Sequence, residues 1–385
     1  MTGAPGGFVP PAYPHDRLIP LREAASATAG GIVDLSVGTP TDPPPPAVLA
    51  ALADADRYGA LRGYPPSMGT ASLRAAAAAW MQRTFGVDVA ADAVVACVGT
   101  KEMVASLPRY LSLRRPGRDT VLYPAVSYPT YEMGAILAGL RAVAVPTDEA
   151  GRVQLGAVAP ADAERALLLW VNSPGNPAGG LDDLPAAASW GAAHGAVVAS
   201  DECYAAFTWT GPPRTVLGHG TGSHGMGGVL AVHSLSKRSN LAGLRVGWVA
   251  GDPELVIYLS EVRKHAGMMV PGPGQQAAVA ALGDEAHVGD QRTRYRQRLE
   301  AMASILTAVG VEVALPDGGF YLWAPAPGGD AWGWATELAT RGGMLVAPGD
   351  FYGTAGSGHV RLAMVAPLDR LELVASRLGG SRAGG

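Results

Sequence analysis

The chain has 385 residues, 48% of them apolar and 16% charged, and a formal net charge of -4. Length and balance fit a globular protein of two domains, or of one large domain with an appendage, and exclude a disordered chain. The weak negative charge gives no electrostatic footprint for nucleic acid or an anionic membrane.

The opening segment, MTGAPGGFVPPAYP, has no basic region and no apolar stretch, so it does not read as a signal peptide. No window approaches the ~20 apolar residues of a spanning helix. Residues 1–46 are proline-rich and end in TDPPPP, a rigid connector. From about residue 90 to 270, short apolar runs alternate with helical patterns: VVACVG (94–99), TVLYP (120–124), RAVAVP (141–146), ALLLWVN (166–172), AVVASD (196–201), VLAVHSL (229–235) and LRVGWVAG (244–251). Most are continuously apolar, the mark of strands buried on both faces in a mostly parallel sheet. Between them lie helices such as 252–267, with Asp252 as N-cap and Pro253 at the first helical position. The alternation predicts an α/β fold with a seven-stranded sheet flanked by helices. Residues 275–385 mix longer helices with shorter strands. The expected division is a large domain over 47–270 and a smaller α+β domain from both chain ends, 1–46 and 271–385. The tail after Leu378 is expected to fray.

Two features are set aside. Gly220–Gly225 matches the dinucleotide spacing G-x-G-x-x-G but precedes a strand instead of following one, so its mechanism is missing. His219 and His224 in the same loop are expected to be solvated, and no metal is expected. The two cysteines, Cys97 and Cys203, sit in apolar strand-like runs, which indicates inert buried thiols and a reducing, cytoplasmic setting.

In open α/β sheets ligands bind beyond the C-terminal strand ends. Gly99-Thr100-Lys101-Glu102 follows the first run and opens a helix, a geometry that suits a phosphate. Tyr128 and Tyr131 follow the second run, and either ring could stack on a flat cofactor or simply fill the core. Asn176, in NSPGNPAG after the fourth run, could donate to a phenolic oxygen or serve only a turn. Asp201 ends a wholly apolar strand and needs a cationic partner. Lys237 ends the sixth, a natural Schiff-base lysine, with Ser234 and Arg245 able to bind a phosphate. Anion donors, a stacking face, a carboxylate, a phenol-binding pair and an amine together fit pyridoxal 5'-phosphate.

The motifs LSVGTPTDPP (35–44), YPPSMGTASLR (64–74), VGTKE (98–102), NSPGNPAG (172–179), SDECY (200–204), HSLSKRSNLAGLRVG (233–247) and HVRLAM (359–364) resemble the class I/II aminotransferases, the fold-type-I pyridoxal-phosphate enzymes. The resemblance implies that Lys237 binds the cofactor covalently and that Asp201 pairs with its ring nitrogen. It implies that Asn176 and Tyr204 bind the phenolic oxygen and that Tyr128 stacks on the ring. Thr100, Lys101, Ser234 and Arg245 would hold the phosphate, with Tyr64 reaching in from the second subunit of a homodimer. Arg361, helped by the backbone near Gly38 and by Asn176, would bind the substrate's α-carboxylate. Ala178 departs from the family, which commonly has Thr there. RKHAGMMVP (263–271), ALGDEAHV (281–288) and LVAPGDFYG (345–353) resemble more narrowly the actinobacterial type of N-succinyldiaminopimelate aminotransferase. Aspartate or broad-specificity transamination and carbon–sulfur lysis remain alternatives on the same scaffold. Arg17, Arg22, Arg263 and Lys264 are candidates by charge for the substrate's distal end, though a solvated position is the expectation for each.

Overall fold

The computed structural model describes residues 8–380, so residues 1–7 and the tail 381–385, on which some of these expectations fall, lie outside it. Among the described residues seven strands form the main sheet: β1 (Val94–Cys97), β2 (Thr120–Pro124), β3 (Arg141–Val145), β4 (Ala166–Asn172), β5 (Val197–Asp201), β6 (Val229–Ser234) and β7 (Gly247–Gly251). Their order is β1-β7-β6-β5-β4-β2-β3. Pairings from β6 through β3 are parallel, whereas β7 runs antiparallel to both β1 and β6. Every residue of β4, β5, β6 and β7 is buried, which explains their unbroken apolar character. The edge strand β3 is largely uncovered.

The reversed strand shapes the site. In register, Gly247 at the start of β7 lies opposite both Cys97 at the end of β1 and Ser234 at the end of β6. The residues just before β7 therefore arrive at the edge where the parallel strands finish.

Helix α1 (Thr100–Arg114) follows β1, and α2 (Thr130–Leu137) follows β2. Helix α3 (Pro253–His265) follows β7 and is capped as expected, with Asp252 accepting from the Glu254 and Leu255 amides. Helices α4 (Gly272–Gly283) and α5 (Ala286–Ala308) continue the chain. A second, antiparallel sheet joins β8 (Tyr321–Pro325), β9 (Ala347–Pro348) and β10 (His359–Ala363), with β10 central. Its core draws Leu18, Leu21, Val33 and Leu35 from the start of the chain and Met344, Leu371 and Leu378 from the end. Val33–Asp34 pairs with Met344–Leu345 across the same boundary. This core supports, as a proposal, a smaller domain from both chain ends. Helix α4 departs from the expected border at 270, because Ala277, Ala278, Ala281 and Leu282 pack into the core beneath the main sheet. A border after Gly283 fits that packing.

The loop that carries Gly38 is fixed by a buried ion pair. Both guanidinium nitrogens of Arg298, 4% exposed, lie 2.7 Å from the two oxygens of Asp42. Gln291 donates to Asp42 at 2.8 Å and accepts from Asn240 at 3.1 Å, which ties the loop to the segment after Lys237. Asp42→Ala strands a buried guanidinium, and we expect it to cost about 3 kcal/mol, measured by urea unfolding.

Candidate active site

A cavity of about 280 Å³ opens beyond the ends of β1, β4, β5 and β6. Its lining includes Gly38, Thr100, Lys101, Tyr128, Asn176, Asp201, Tyr204, Ser234, Lys237, Arg245 and Arg361. The folding thus gathers every residue assigned above to the cofactor or the α-carboxylate except Tyr64, which is 95% exposed and does not line it. A larger groove of about 860 Å³ lies elsewhere, around Asp148, Arg152, Asp182 and Arg214. Most of its charged groups are engaged: Arg152 pairs with Asp148, and Asp182 accepts the Val153 and Asn172 amides.

Lys237 stands in a single helical turn, Leu235–Arg238, directly after β6. Its ammonium donates to the Gly38 carbonyl. Burial, then the nearby Arg361 and Arg245 guanidinium groups, bring its pKa down to about 8. Asp201 ends β5. Its carboxylate accepts from the Tyr131 hydroxyl at 2.9 Å and from the Cys203 amide at 3.2 Å, and burial raises its pKa. No ion pair reaches Asp201 from the described residues, so a buried carboxylate faces the cavity without a bonded cation.

The phosphate candidates converge at the β7 edge. Gly99 adopts φ 71°, and a side-chain carbon there would fall on the Arg245 guanidinium, so only glycine suits this helix start. Arg245 itself has φ 56° and donates at 2.9 Å to the Ala242 carbonyl. The Ser234 hydroxyl accepts the Ser236 amide and donates to the Ser236 hydroxyl. An amine and a buried carboxylate, neither in an ion pair among the described residues, and Ser234 and Arg245 grouped at a helix start match the ends of pyridoxal phosphate, and the residues present fit it.

Tyr128 and Tyr131 separate clearly. Tyr131 is fully buried, stacked on Trp170 at 5.1 Å and bonded to Asp201. Both line the cavity, but Tyr128 is half-buried there and free of the Trp170 and Asp201 contacts that hold Tyr131. The Lys101 ammonium lies 5.4 Å from the Tyr13 ring and 6.0 Å from Tyr128, on the rim, while its backbone belongs to the first turn of α1.

Arg361 rises from β10, 4% exposed. It donates to Asn176 Oδ1 at 2.9 Å and to the Ser36 carbonyl at 2.7 Å, and it lies between the rings of Tyr321 and Tyr352 at 4.3 and 4.8 Å. With its oxygen taken by Arg361, Asn176 keeps its NH₂ for another acceptor. Asn172 supports this group by donating to the Asp201 carbonyl and accepting the Asn176 amide. On the opposite side of the β5–β6 edge, Glu202 and His233 lie 3.4 Å apart. Burial lifts the Glu202 carboxyl to about 8 and lowers His233 to about 3, so this is a neutral pair near pH 7 and not a charged bridge.

The sequence did not point to Asn172, Tyr321, Tyr13 or His15 as cavity residues. Asn172, a polar end to a wholly apolar strand beside that of Asp201, carried a readable signal; Tyr321 did not. Arg263 overturns its expectation: it is fully buried and bound to Glu102 at 2.6 Å, because the carboxylate at the start of α1 needs a cation inside the core. Arg17 and Arg22 pair with Asp350 and Asp34, and Lys264 lies near Glu261 on the surface. None of the four lines the cavity. The thiols of Cys97 and Cys203 are free, with burial pushing the first up to about 12 and the second upward as well. His219 and His224 are exposed, and their loop closes through a Thr221–Gly227 bridge. Among the described residues no helix is long and apolar enough to cross a membrane.

Comparison with known proteins agrees with this geometry. A probable aminotransferase of Mycobacterium tuberculosis is 46% identical over 374 residues, covering 96% of this chain and 85% of that protein. The 4-dedimethylamino-4-oxo-anhydrotetracycline transaminase OxyQ of Streptomyces rimosus is 43% identical over 96% of this chain and 99% of its own. Among solved structures, a probable N-succinyldiaminopimelate aminotransferase from Thermus thermophilus superposes with a TM-score of 0.85 at 31% identity, covering 95% of this chain and 99% of that one. Residues 31–378 match the family model of aminotransferase class I and II. The chain belongs to the class I and II aminotransferases, enzymes that work with pyridoxal phosphate.

Proposed function

We propose that the enzyme moves an amino group between glutamate and N-succinyl-2-amino-6-oxopimelate, in lysine and diaminopimelate biosynthesis in the cytoplasm. The observation that carries this reading is the placement of two cations around one cavity: Arg361, locked at its base, and Lys101, loose on the rim. A substrate with a carboxylate at each end would meet both. Relatives named as LL-diaminopimelate aminotransferases, 30–32% identical, and the Thermus thermophilus structure support the same chemistry. A second reading comes from OxyQ, whose higher identity favours an oxo group on a bulkier molecule as the acceptor. Turnover with glutamate against a panel holding the succinylated oxo acid, oxaloacetate and a bulky oxo compound decides between them. If another acceptor exceeds the succinylated one in kcat/KM, the first reading is wrong.

The roles of the residues follow from their positions. When bound, the cofactor supplies an electron sink for the charge left at the substrate's Cα. Lys237 holds it and, once released, takes the Cα proton on Nζ and redelivers it. Asp201 keeps a positive charge on the ring nitrogen. Asn176 and Tyr204 donate to the phenolic oxygen, and Tyr128 covers one ring face. Ser234, Arg245 and the Thr100–Lys101 turn hold the phosphate. Tyr64, exposed as it is, completes the phosphate site of a second copy in a homodimer.

Arg361 presents a planar fork to the α-carboxylate and so sets the Cα–H bond across the cofactor plane. Both substrates of an aminotransferase present that group, so Arg361→Lys should weaken glutamate and the acceptor alike, raising KM and lowering kcat by about tenfold or more each. The two half-reactions, followed by cofactor absorbance, test it; loss for one substrate alone would make Arg361 a distal-group reader.

A further inference from the structure

Tyr321 opens the strand β8 and is 2% exposed, yet it meets three parts of the site at once. Its hydroxyl lies 2.9 Å from that of Tyr204. Its ring lies under the Arg361 guanidinium at 4.3 Å, opposite Tyr352. Its hydroxyl also rests directly against Gly38: a side-chain carbon at Gly38 would fall on it, and the carbonyl of that residue accepts from Lys237.

We propose that Tyr321 is a positioning residue with two separable parts: a hydroxyl that orients the Tyr204 proton and a ring that holds Arg361 in place. Each tyrosine hydroxyl has one proton to give. If Tyr204 spends its proton on the cofactor's phenolic oxygen, its own oxygen is free to accept, and Tyr321 is the donor within reach. That bond polarises Tyr204 and strengthens its donation. The ring acts independently. The two terminal nitrogens of the Arg361 guanidinium donate to Asn176 and to Ser36, and the Tyr321 and Tyr352 rings, 4.3 and 4.8 Å from it, restrict its tilt. One residue thus joins the phenol-binding and carboxylate-binding halves of the site. The inference rests on Tyr204 being the phenol-side donor.

The holoenzyme's spectrum tests the hydroxyl. Donation to the phenolic oxygen stabilises its negative charge and so weakens its hold on the proton of the nitrogen that joins Lys237 to the cofactor. Loss of donation raises the pKa read by titrating the cofactor's absorbance. Tyr321→Phe, which keeps the ring, should raise that pKa by about half a unit or more while KM for glutamate stays within about twofold. Tyr321→Leu should raise the pKa as much and also raise KM for glutamate about tenfold. Tyr204→Phe should raise the pKa at least as far as Tyr321→Phe, and adding Tyr321→Phe to it should change nothing further. If Tyr204→Phe moves the pKa but Tyr321→Phe does not, or if the two shifts add, the proposal fails and the Tyr204 role stands. If Tyr204→Phe leaves the pKa unmoved, the Tyr204 role itself fails and the proposal with it. If Tyr321→Leu leaves KM unchanged, the ring has no part in holding Arg361.

Discussion

Replacing Lys237 by alanine is expected to lower transamination by about 10⁴-fold or more while the protein folds normally, because in the proposed mechanism one amine both carries the cofactor and moves the Cα proton. The structure gives the folding half of that statement a reason. Lys237 is held beneath Gly38 with two guanidinium groups nearby, and its pKa of about 8 against an ordinary 10.5 means that the folded chain disfavours its charge. A group whose folded pKa is depressed in this way binds fewer protons in the native state than in the unfolded one between pH 8 and 10.5. Its contribution to stability therefore grows as pH rises through that window, and below it the buried cation is a cost. Alanine removes the cost. The cofactor-free variant should melt at or above the wild-type temperature near pH 7, followed by circular dichroism, while turnover vanishes. The same pKa predicts that cofactor uptake by the stripped wild-type protein accelerates with pH and levels off above about 8, since the neutral amine is the nucleophile. Turnover near the wild-type rate in the alanine variant would remove Lys237 from the chemistry.

Asp201→Asn should show the second large effect, a fall in kcat of about 10²- to 10³-fold with no loss of stability. Asparagine has nearly the same size: its one oxygen can accept the Cys203 amide, and its NH₂, in the place of the oxygen that meets Tyr131, can donate to that hydroxyl's oxygen instead. What disappears is the negative charge that keeps the ring nitrogen protonated, and with it the strength of the electron sink. Burial already raises the pKa of Asp201, so its ionised form is disfavoured in the empty protein. A neutral side chain relieves this, and urea unfolding of the cofactor-free variant should show equal or greater stability. Retention of more than about half of kcat would assign Asp201 a structural part instead.

The strands were readable because burial on both faces leaves an unbroken apolar run; 120–124 and 166–172 match β2 and β4 residue for residue. The reversal of β7 was not, since a fully buried strand has the same composition in either direction. Residues at strand ends could be named because ligand sites in α/β sheets collect there. Side-chain partnership was beyond reach. Tyr128 and Tyr131 lie three residues apart, and only the packing of Trp170 against Tyr131 shows which of the two is locked in the core. Arg263 looked like a surface charge because its partner, Glu102, stands 161 positions earlier. Tyr321 sat in an ordinary apolar stretch 117 residues from the hydroxyl it meets.

The joining of chain ends around the second sheet has a consequence for how the protein is made. Leu18, Leu21 and Leu35 belong to a core whose last members, Leu371 and Leu378, are made roughly 340 residues later. At roughly 5–20 residues per second that is a wait of about 20 to 70 s before the core of the nascent amino-terminal segment is complete. The sheet edge built from residues between 97 and 245 can assemble before then, whereas the Gly38 loop and Arg361 can meet only once β10 has been made. In the proposed assignment, carboxylate recognition by Arg361 is thus a late acquisition, and a translation product halted before β10 would present the sheet edge of Lys237 and Arg245 without it.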